Sequence, residues 1–285
     1  LSVTPGAVHH QVKSLEMLLG VTLFNRAGNN LTLTKAATAA LPTLESAFDL
    51  LSLATEKIRQ HTSNGNLSLA VCPSFAQKWL IPRIDRFRQN FDRIELHIST
   101  TTEFPDLNNS EVDIAIGYGP EERFRYPGVL AEKLMGDDVF PVCTPKYRDE
   151  HRLRSESDLL DAVLLHDDGA LIDQGADWNS WFTAVNVHGE KEPAGIRFDT
   201  IALALDAALL GQGVALGRRS LVADDLAAGR LVQPFSRSLA VNGGYFIGNL
   251  KVISEQPRVI AFQEWIFSEV SLGKALAPRL AAMAG

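Results

Sequence analysis

Two cysteines in 285 residues are too few for a disulfide framework, so Cys72 and Cys143 point to a reducing compartment and to inert core thiols. Long hydrophobic runs are also missing: none approaches the roughly 20 apolar residues of a membrane span, and no basic segment leads into an apolar stretch at the start. The expectation is a cytoplasmic protein with no membrane contact. Low-complexity tracts and internal repeats are absent from the sequence, and 21% charged with 46% hydrophobic residues excludes a disordered chain, a collagen and a coiled-coil rod. At roughly 100 to 200 residues per domain, the length implies two or so folded units. Nor is there a general basic excess, since 27 Lys and Arg face 34 Asp and Glu for a net charge of −7. Residues 1 to 61 nevertheless set Lys13, Arg26, Lys35, Lys57 and Arg59 against Glu16, Glu45, Asp49 and Glu56, which leaves that stretch weakly positive within an acidic chain. Contact with a polyanion is therefore expected at that end alone. Leu1 is not methionine and stands in a pattern already under way, so native residues are expected to precede it.

What is present is well punctuated. Thr4 as N-cap, Pro5 at the first helical position, apolar Val8, Val12, Leu15 and Leu19, and Gly20 as the stop predict a short amphipathic helix. Alternation from Val21 to Thr34 around Gly28-Asn29-Asn30 predicts a β-hairpin, and helix plus hairpin outline a winged helix. From Lys35 to His61, the residues Leu41, Leu44, Phe48, Leu51, Thr55 and Ile58 fall at coiled-coil spacing, so this helix should pair, with a kink or local adjustment at Pro42. Thr62 to Asn66 reads as a linker. Beyond it, strands at Leu67–Cys72, Ile94–Ser99, Val112–Ile116, Val139–Cys143, Ala162–Leu165, Gly213–Leu216 and Tyr245–Ile247 alternate with helices at Gln77–Asn90, Ile201–Leu210 and Pro257–Val270. That alternation predicts α/β architecture with mainly parallel sheets.

The residues Thr4-Pro5-Gly6-Ala7-Val8, Gln11, Leu15-Glu16, Leu19-Gly20, Leu23-Phe24, Arg26 and Leu33-Thr34 together resemble the N-terminal domain of LysR-type transcriptional regulators. Further along, Ser74-Phe75-Ala76, Lys78 to Arg83, Val112 to Ile116, Pro141-Val142-Cys143, His166-Asp167-Asp168, Gly213 to Arg218 and Asp225 to Val232 resemble the branch that holds glycine-cleavage and β-lactamase activators. The resemblance implies a winged helix-turn-helix over 1–34 with its first helix missing, and a linker and dimerisation helix over 35–65. It also implies a two-lobed effector domain like a type 2 periplasmic binding protein over 66–285, with lobe I at 66–143 and 240–285 and lobe II at 144–239. The implied partners are double-stranded DNA, a small-molecule effector with carboxylates and amino acids among the candidates, and further copies of the chain as homodimer or homotetramer.

By the same resemblance, His9, His10 and Gln11 are expected to read bases, Thr4 to open the reading helix, and Lys13 and Arg26 to meet phosphates. From spacing alone, a solvated polar helix face explains these residues as well. His9 stands where serine is usual, Asn25 and Asn30 where arginine is common, and Ala37 where glycine is usual, which implies weaker and less salt-sensitive binding. The effector is expected to touch Ser74, Phe75, Thr101, Thr102, Thr200 and, less directly, Tyr245, because helix N-termini in a cleft suit a carboxylate. Simple helix capping by Ser74 and Thr200 is the plainer alternative. No catalytic constellation, metal-ligand spacing or cofactor motif stands out: Gly211 to Gly217 has the wrong spacing for a dinucleotide loop and reads as a packing turn, and His166-Asp167-Asp168 reads as a strand end at the lobe interface. Trp178, Trp181 and Phe182 read as the packed face of a helix. The chain is expected not to be an enzyme. A small-molecule binding protein with an N-terminal assembly segment is the alternative reading.

Overall fold

The structure is a computed structural model that describes residues 4–27, 30–60, 65–169, 176–188 and 195–283. It divides into two compact units, Leu1–Thr62 and Ser63–Gly285. Among the described residues no helix is long and apolar enough to cross a membrane.

In the first unit, helix α1 (Pro5–Leu19) begins where Thr4 Oγ1 accepts the Ala7 N–H at 3.3 Å, and it ends at Gly20, whose φ of 68° a side chain would disfavour. Strands β1 (Phe24–Ala27) and β2 (Asn30–Leu33) pair antiparallel, Phe24 opposite Leu33 and Arg26 opposite Leu31. The Gly28-Asn29 part of the expected turn lies outside the described residues, as does the Arg26 side chain. Glu16 fixes the hairpin to the helix, its Oε1 accepting the backbone N–H groups of Leu23 (2.7 Å) and Phe24 (3.3 Å). Thr34 closes the other end: its hydroxyl donates to Thr22 O and accepts from the Ala37 N–H, which starts helix α2 (Lys35–Gln60). Helix α2 runs through Pro42 as one element. The expected linker residues Thr62 to Asn64 are outside the described part.

The second unit holds one eight-stranded sheet among the described residues. Its strands are β3 (Asn66–Val71), β4 (Glu95–Thr100), β5 (Ile114–Gly119), β6 (Val129–Val142), β7 (Leu164–Asp167), β8 (Gly195–Phe198), β9 (Val214–Arg218) and β10 (Leu239–Leu250). The spatial order is β4-β3-β5-β10-β6-β9-β7-β8. Each end is a parallel trio, β4-β3-β5 and β9-β7-β8. The centre is antiparallel, because β10 pairs with both β5 and β6, and β6 pairs with β9. The expectation of mainly parallel sheets holds at the two ends, and the centre departs from it because the long strands β6 and β10 run antiparallel to each other and to their other neighbours, β9 and β5. Residues Val129–Glu132 of β6 pair with β10, while Val139–Val142 pair with β9.

The parallel strands inside the sheet, β3, β5 and β9, are buried apolar runs, as covering on both faces requires. Leu67, Leu69 and Val71 of β3, Ile114 and Ala115 of β5, and Val214 and Ala215 of β9 are all inaccessible. Helices α4 (Ile84–Asn90) and α9 (Pro257–Met283) cover one half, where Phe87 meets Phe262 at 5.5 Å and Trp265 at 5.2 Å. Helix α6 (Trp178–Val185) buries Trp178, Trp181 and Phe182, and the Trp178 indole donates to Leu165 O. Helix α7 (Ile201–Leu209) is followed by Gly211 at φ 73° and by Gly213, where a Cβ would lie 2.4 Å from Val163 O. That stretch has the turn and packing role its spacing implied.

The helix expected over Gln77–Asn90 is not one helix. Helix α3 (Pro73–Phe75) runs into a π-helical turn at Ala76–Leu80, then a 3-10 turn at Ile81–Arg83, then α4. Pro82 has no N–H to give the Lys78 carbonyl, so the ladder is re-pitched around it. The rearranged turn carries three polar side chains to the opposite half of the sheet. Lys78 and Gln77 both reach Asp206 of α7, and Arg83 makes a two-pronged contact (2.8 and 2.9 Å) with Asp224 of helix α8 (Arg219–Ala227).

Candidate functional site

A cavity of about 100 Å³ opens where the carboxyl ends of the parallel strands face each other. This is the position at which open α/β sheets present loops and helix starts to a ligand. Cys72, Pro73 and Ser74 enter it from the β3–α3 junction, Thr102 from the loop after β4, and Tyr118 and Tyr245 from β5 and β10. The other half contributes Asp167 and Gly169 after β7, Asp199, Thr200 and Ile201 at the β8–α7 junction, and Arg218 at the end of β9.

Four of the six expected effector residues, Ser74, Thr102, Thr200 and Tyr245, stand together in this wall. Phe75 does not: it is fully buried, stacked 4.8 Å from Trp79 and 4.6 Å from Tyr245, because the first turn of α3 aims it into the core. Thr101 does not either, since its hydroxyl donates to Glu103 O and accepts the Glu103 N–H in a local turn. Ser74 is inside the first turn of α3 instead of before it, and Cys72 holds the N-cap position. The Ser74 hydroxyl instead accepts the Ala202 N–H of α7 at 3.3 Å, which links the two halves across the cavity. Thr200 occupies the N-cap position of α7 but makes no capping bond with its side chain. Neither residue therefore caps its own helix.

Of the charged part of the wall, Asp167 stands at the strand end by the lobe interface where the sequence placed it, whereas Arg218 and Asp199 were not among the expected residues. Arg218 is 6% exposed, lies 3.9 Å above the Tyr118 ring and 3.9 Å from Asp167 Oδ2. Asp167 Oδ1 accepts the Gly169 N–H at 3.1 Å. Burial pushes the Asp167 carboxyl above its ordinary range, and the Arg218 charge only partly offsets this. Asp137, just behind, is raised for the same reason and is held by the Ser220 hydroxyl and N–H. Burial also drives the Cys72 thiol up to about 12 and Cys143 up to about 11, which keeps both protonated and unreactive at neutral pH. A carboxyl raised on folding binds its proton more tightly folded than unfolded. Wild type should therefore gain stability relative to Asp167→Asn as pH falls through the raised folded value, with little change above it and the gain levelling off below about 3.9. Thermal midpoints of the two proteins between pH 4 and 7 check this; a difference that does not change with pH would contradict it.

In the first unit, His9, His10, Gln11 and Lys13 are all exposed on α1. Thr4 is engaged as the helix cap. The strand that carries Arg26 is held beside α1 by the Glu16 carboxylate. On α2, Leu41, Leu44, Phe48 and Leu51 are exposed at coiled-coil spacing, whereas the side chains of Thr55 and Ile58 lie outside the described part. Among the described residues no group of three or more His, Cys, Asp or Glu side chains is placed to hold a metal ion.

Residues 1–38 match the family model for the bacterial regulatory helix-turn-helix protein, lysR family, and residues 60–267 match the LysR substrate binding domain. The glycine cleavage system transcriptional activator of Escherichia coli K12 is 33% identical over 272 residues, which is 95% of this chain and 87% of that protein. The HTH-type transcriptional activator AmpR of Providencia stuartii is 32% identical over 273 residues, 95% of this chain and 88% of that one. Among solved structures, the effector domain of the transcriptional regulator AmpR of Pseudomonas aeruginosa superposes with a TM-score of 0.59 at 27% identity, covering 74% of this chain and 96% of that one. The LysR-type regulator CrgA of Neisseria meningitidis, at 20% identity, shares the fold over 94% of this chain and 90% of its own, with a TM-score of 0.55.

Proposed function

This chain belongs to the LysR family of bacterial transcriptional regulators, and from that premise we propose that its cavity is the effector site and takes a small carboxylate-bearing metabolite. The protein is a DNA-binding transcriptional regulator with an effector domain, not an enzyme. The observation that carries the proposal is the convergence of Ser74, Thr102, Thr200 and Tyr245 with a buried arginine at the strand ends. The start of α7 and the Arg218 guanidinium supply positive potential there, and the hydroxyls supply orientation. A cavity of about 100 Å³ suits a small molecule. Occupancy would bear directly on the two halves of the sheet, since Ser74, Lys78 and Arg83 all cross between them. A thermal-shift screen of small carboxylates and amino acids tests the reading: a compound that stabilises wild type should lose its effect in Ser74→Leu, whose side chain fills the cavity mouth. A stabilisation that persists in that variant would place the ligand elsewhere.

On the DNA side, α1 offers His9, His10 and Gln11 to base edges and Lys13 to phosphate, with Arg26 a second phosphate partner on the hairpin. Helix α2 offers its apolar stripe to a second copy. Aspartate at both Leu44 and Phe48 should convert the oligomer to a monomer at micromolar concentration, read by light scattering, without changing the fold of the second unit; an unchanged mass would remove α2 from the interface.

A further inference from the structure

We propose that the cavity selects ligands that carry an ammonium group beside the carboxylate, and that Asp167 and Asp199 impose that selection. The inference rests on the reading of the cavity as the effector site.

The charge balance of the wall leads to it. Arg218 is the basic side chain among the lining residues. Asp167 stands 3.9 Å from it, and the Arg218 charge also acts on Asp137, which Ser220 holds. Asp199 adds a carboxylate at the exposed rim, close enough to Asp167 to disfavour its ionised form. Among the lining residues one guanidinium stands beside two carboxyl groups, Asp167 and Asp199, so an entering anion meets no unopposed cation. A simple anion entering it would gain from Arg218 and the α7 start but lose against Asp167 and Asp199. A zwitterion avoids that loss, because its ammonium meets the two carboxylates while its carboxylate meets Arg218 and the turn at Thr200. The order of groups fits a single small molecule: Asp167 and Arg218 sit at the inner end of the cavity on neighbouring strands β7 and β9, and Asp199 and Thr200 are consecutive at its mouth. The same arrangement disfavours bulky side chains, since Tyr118 and Tyr245 close the floor with rings 4.8 Å apart.

The test is calorimetric titration of the full-length chain with three matched probe pairs: glycine and acetate, L-alanine and propionate, L-serine and 3-hydroxypropionate. Wild type should bind at least one amino acid about tenfold or more tightly than its amine-free partner, the effect of one charge-assisted hydrogen bond. Asp167→Asn should bring that ratio to within about threefold, and Asp199→Asn, at an exposed position where folding is not at issue, should reduce it in the same direction. Equal binding of both members of every pair by wild type, a ratio untouched in both variants, or no binding of any probe would overturn the proposal. Cavity-filling Ser74→Leu separates this from the effector reading: if it abolishes binding while the amine preference is absent, the cavity is the site and only the selection is wrong.

Discussion

Alanine at both His9 and Gln11 should lower affinity for the DNA upstream of the chain's own gene by between about 30-fold and 10⁴-fold, two base contacts at about 1–3 kcal/mol each. Both side chains are exposed on the early turns of α1, whose start is fixed by the Thr4 cap and Pro5. A helix entering the major groove reads bases with these turns, and an imidazole and an amide both offer donors and acceptors to base edges. Affinity for random duplex should hardly change, because that binding rests on phosphate contacts. Lys13→Ala gives the complementary result: a similar loss on every sequence and a salt dependence shallower by about two units of slope, one for each protomer of a dimer. The helix should survive both changes, since alanine is the better helix former. Electrophoretic mobility shifts with specific and random duplexes separate the two effects; equal losses on both DNAs in the His9 and Gln11 variant would mean that these residues do not read sequence.

Arg218→Ala should cost about 3–5 kcal/mol, the usual penalty for leaving a buried charge without its partner. Arg218 ends β9 at 6% exposure, and its loss strips Asp167 and Asp137 of the cation that offsets their burial. In a unit of this size the melting transition should fall by about 6–20 °C. The cation–π contact with Tyr118 is lost too, and with it the packing of the cavity floor. A second change separates charge from packing. Arg218→Met combined with Asp167→Asn keeps most of the volume and removes the stranded carboxylate, so it should recover a large part of the loss. Circular dichroism melts of the three proteins check this, and additive losses in the double variant would contradict the account of Arg218 as a charge partner.

These residues also show where sequence reasoning reached and where it stopped. The first unit was legible because its signals are local: Thr4, Pro5 and Gly20 mark both ends of α1, and the capping hydrogen bond and the left-handed glycine are where they were expected. In the second unit the apolar strands β3, β5, β7 and β9 were legible as short runs. The long strands β6 and β10 were legible only in part, at Val139–Cys143 and Tyr245–Ile247. Their remaining residues include Glu132 and Lys133 in β6, which look like loop in isolation and become strand by pairing with Ile247 and Phe246 of β10, while Asn242 and Gly243 fall in the register shift between Ala240 and Gly244. The edge strand β8, with its first three residues exposed, carries too little apolar signal to find. At the cavity, the hydroxyls of Ser74, Thr102 and Thr200 were reachable from a resemblance and from helix starts. Asp167 was reachable as a strand end at the lobe interface, and it does line the cavity, since polar residues at the carboxyl ends of parallel strands face the ligand crevice. The role of Arg218 was not, because it depends on β7 and β9 lying side by side. The broken helix after Pro73 was signalled by Pro82, and its consequence, a π-helical turn that sends Lys78 and Arg83 across to Asp206 and Asp224, needed the packing to be seen.

Occupancy of the cavity is expected to change how the chain holds specific DNA. Fluorescence anisotropy of a labelled upstream duplex, titrated across salt with and without a ligand identified by thermal shift, measures it directly. Specific binding should be about 10³-fold or more tighter than to random duplex, with a shallow salt slope of about −4 for a dimer that meets phosphate through Lys13 and Arg26, and a ligand-dependent change that Ser74→Leu abolishes. Equal affinity for both duplexes at every salt concentration, or a ligand that binds without altering the DNA complex, would contradict it.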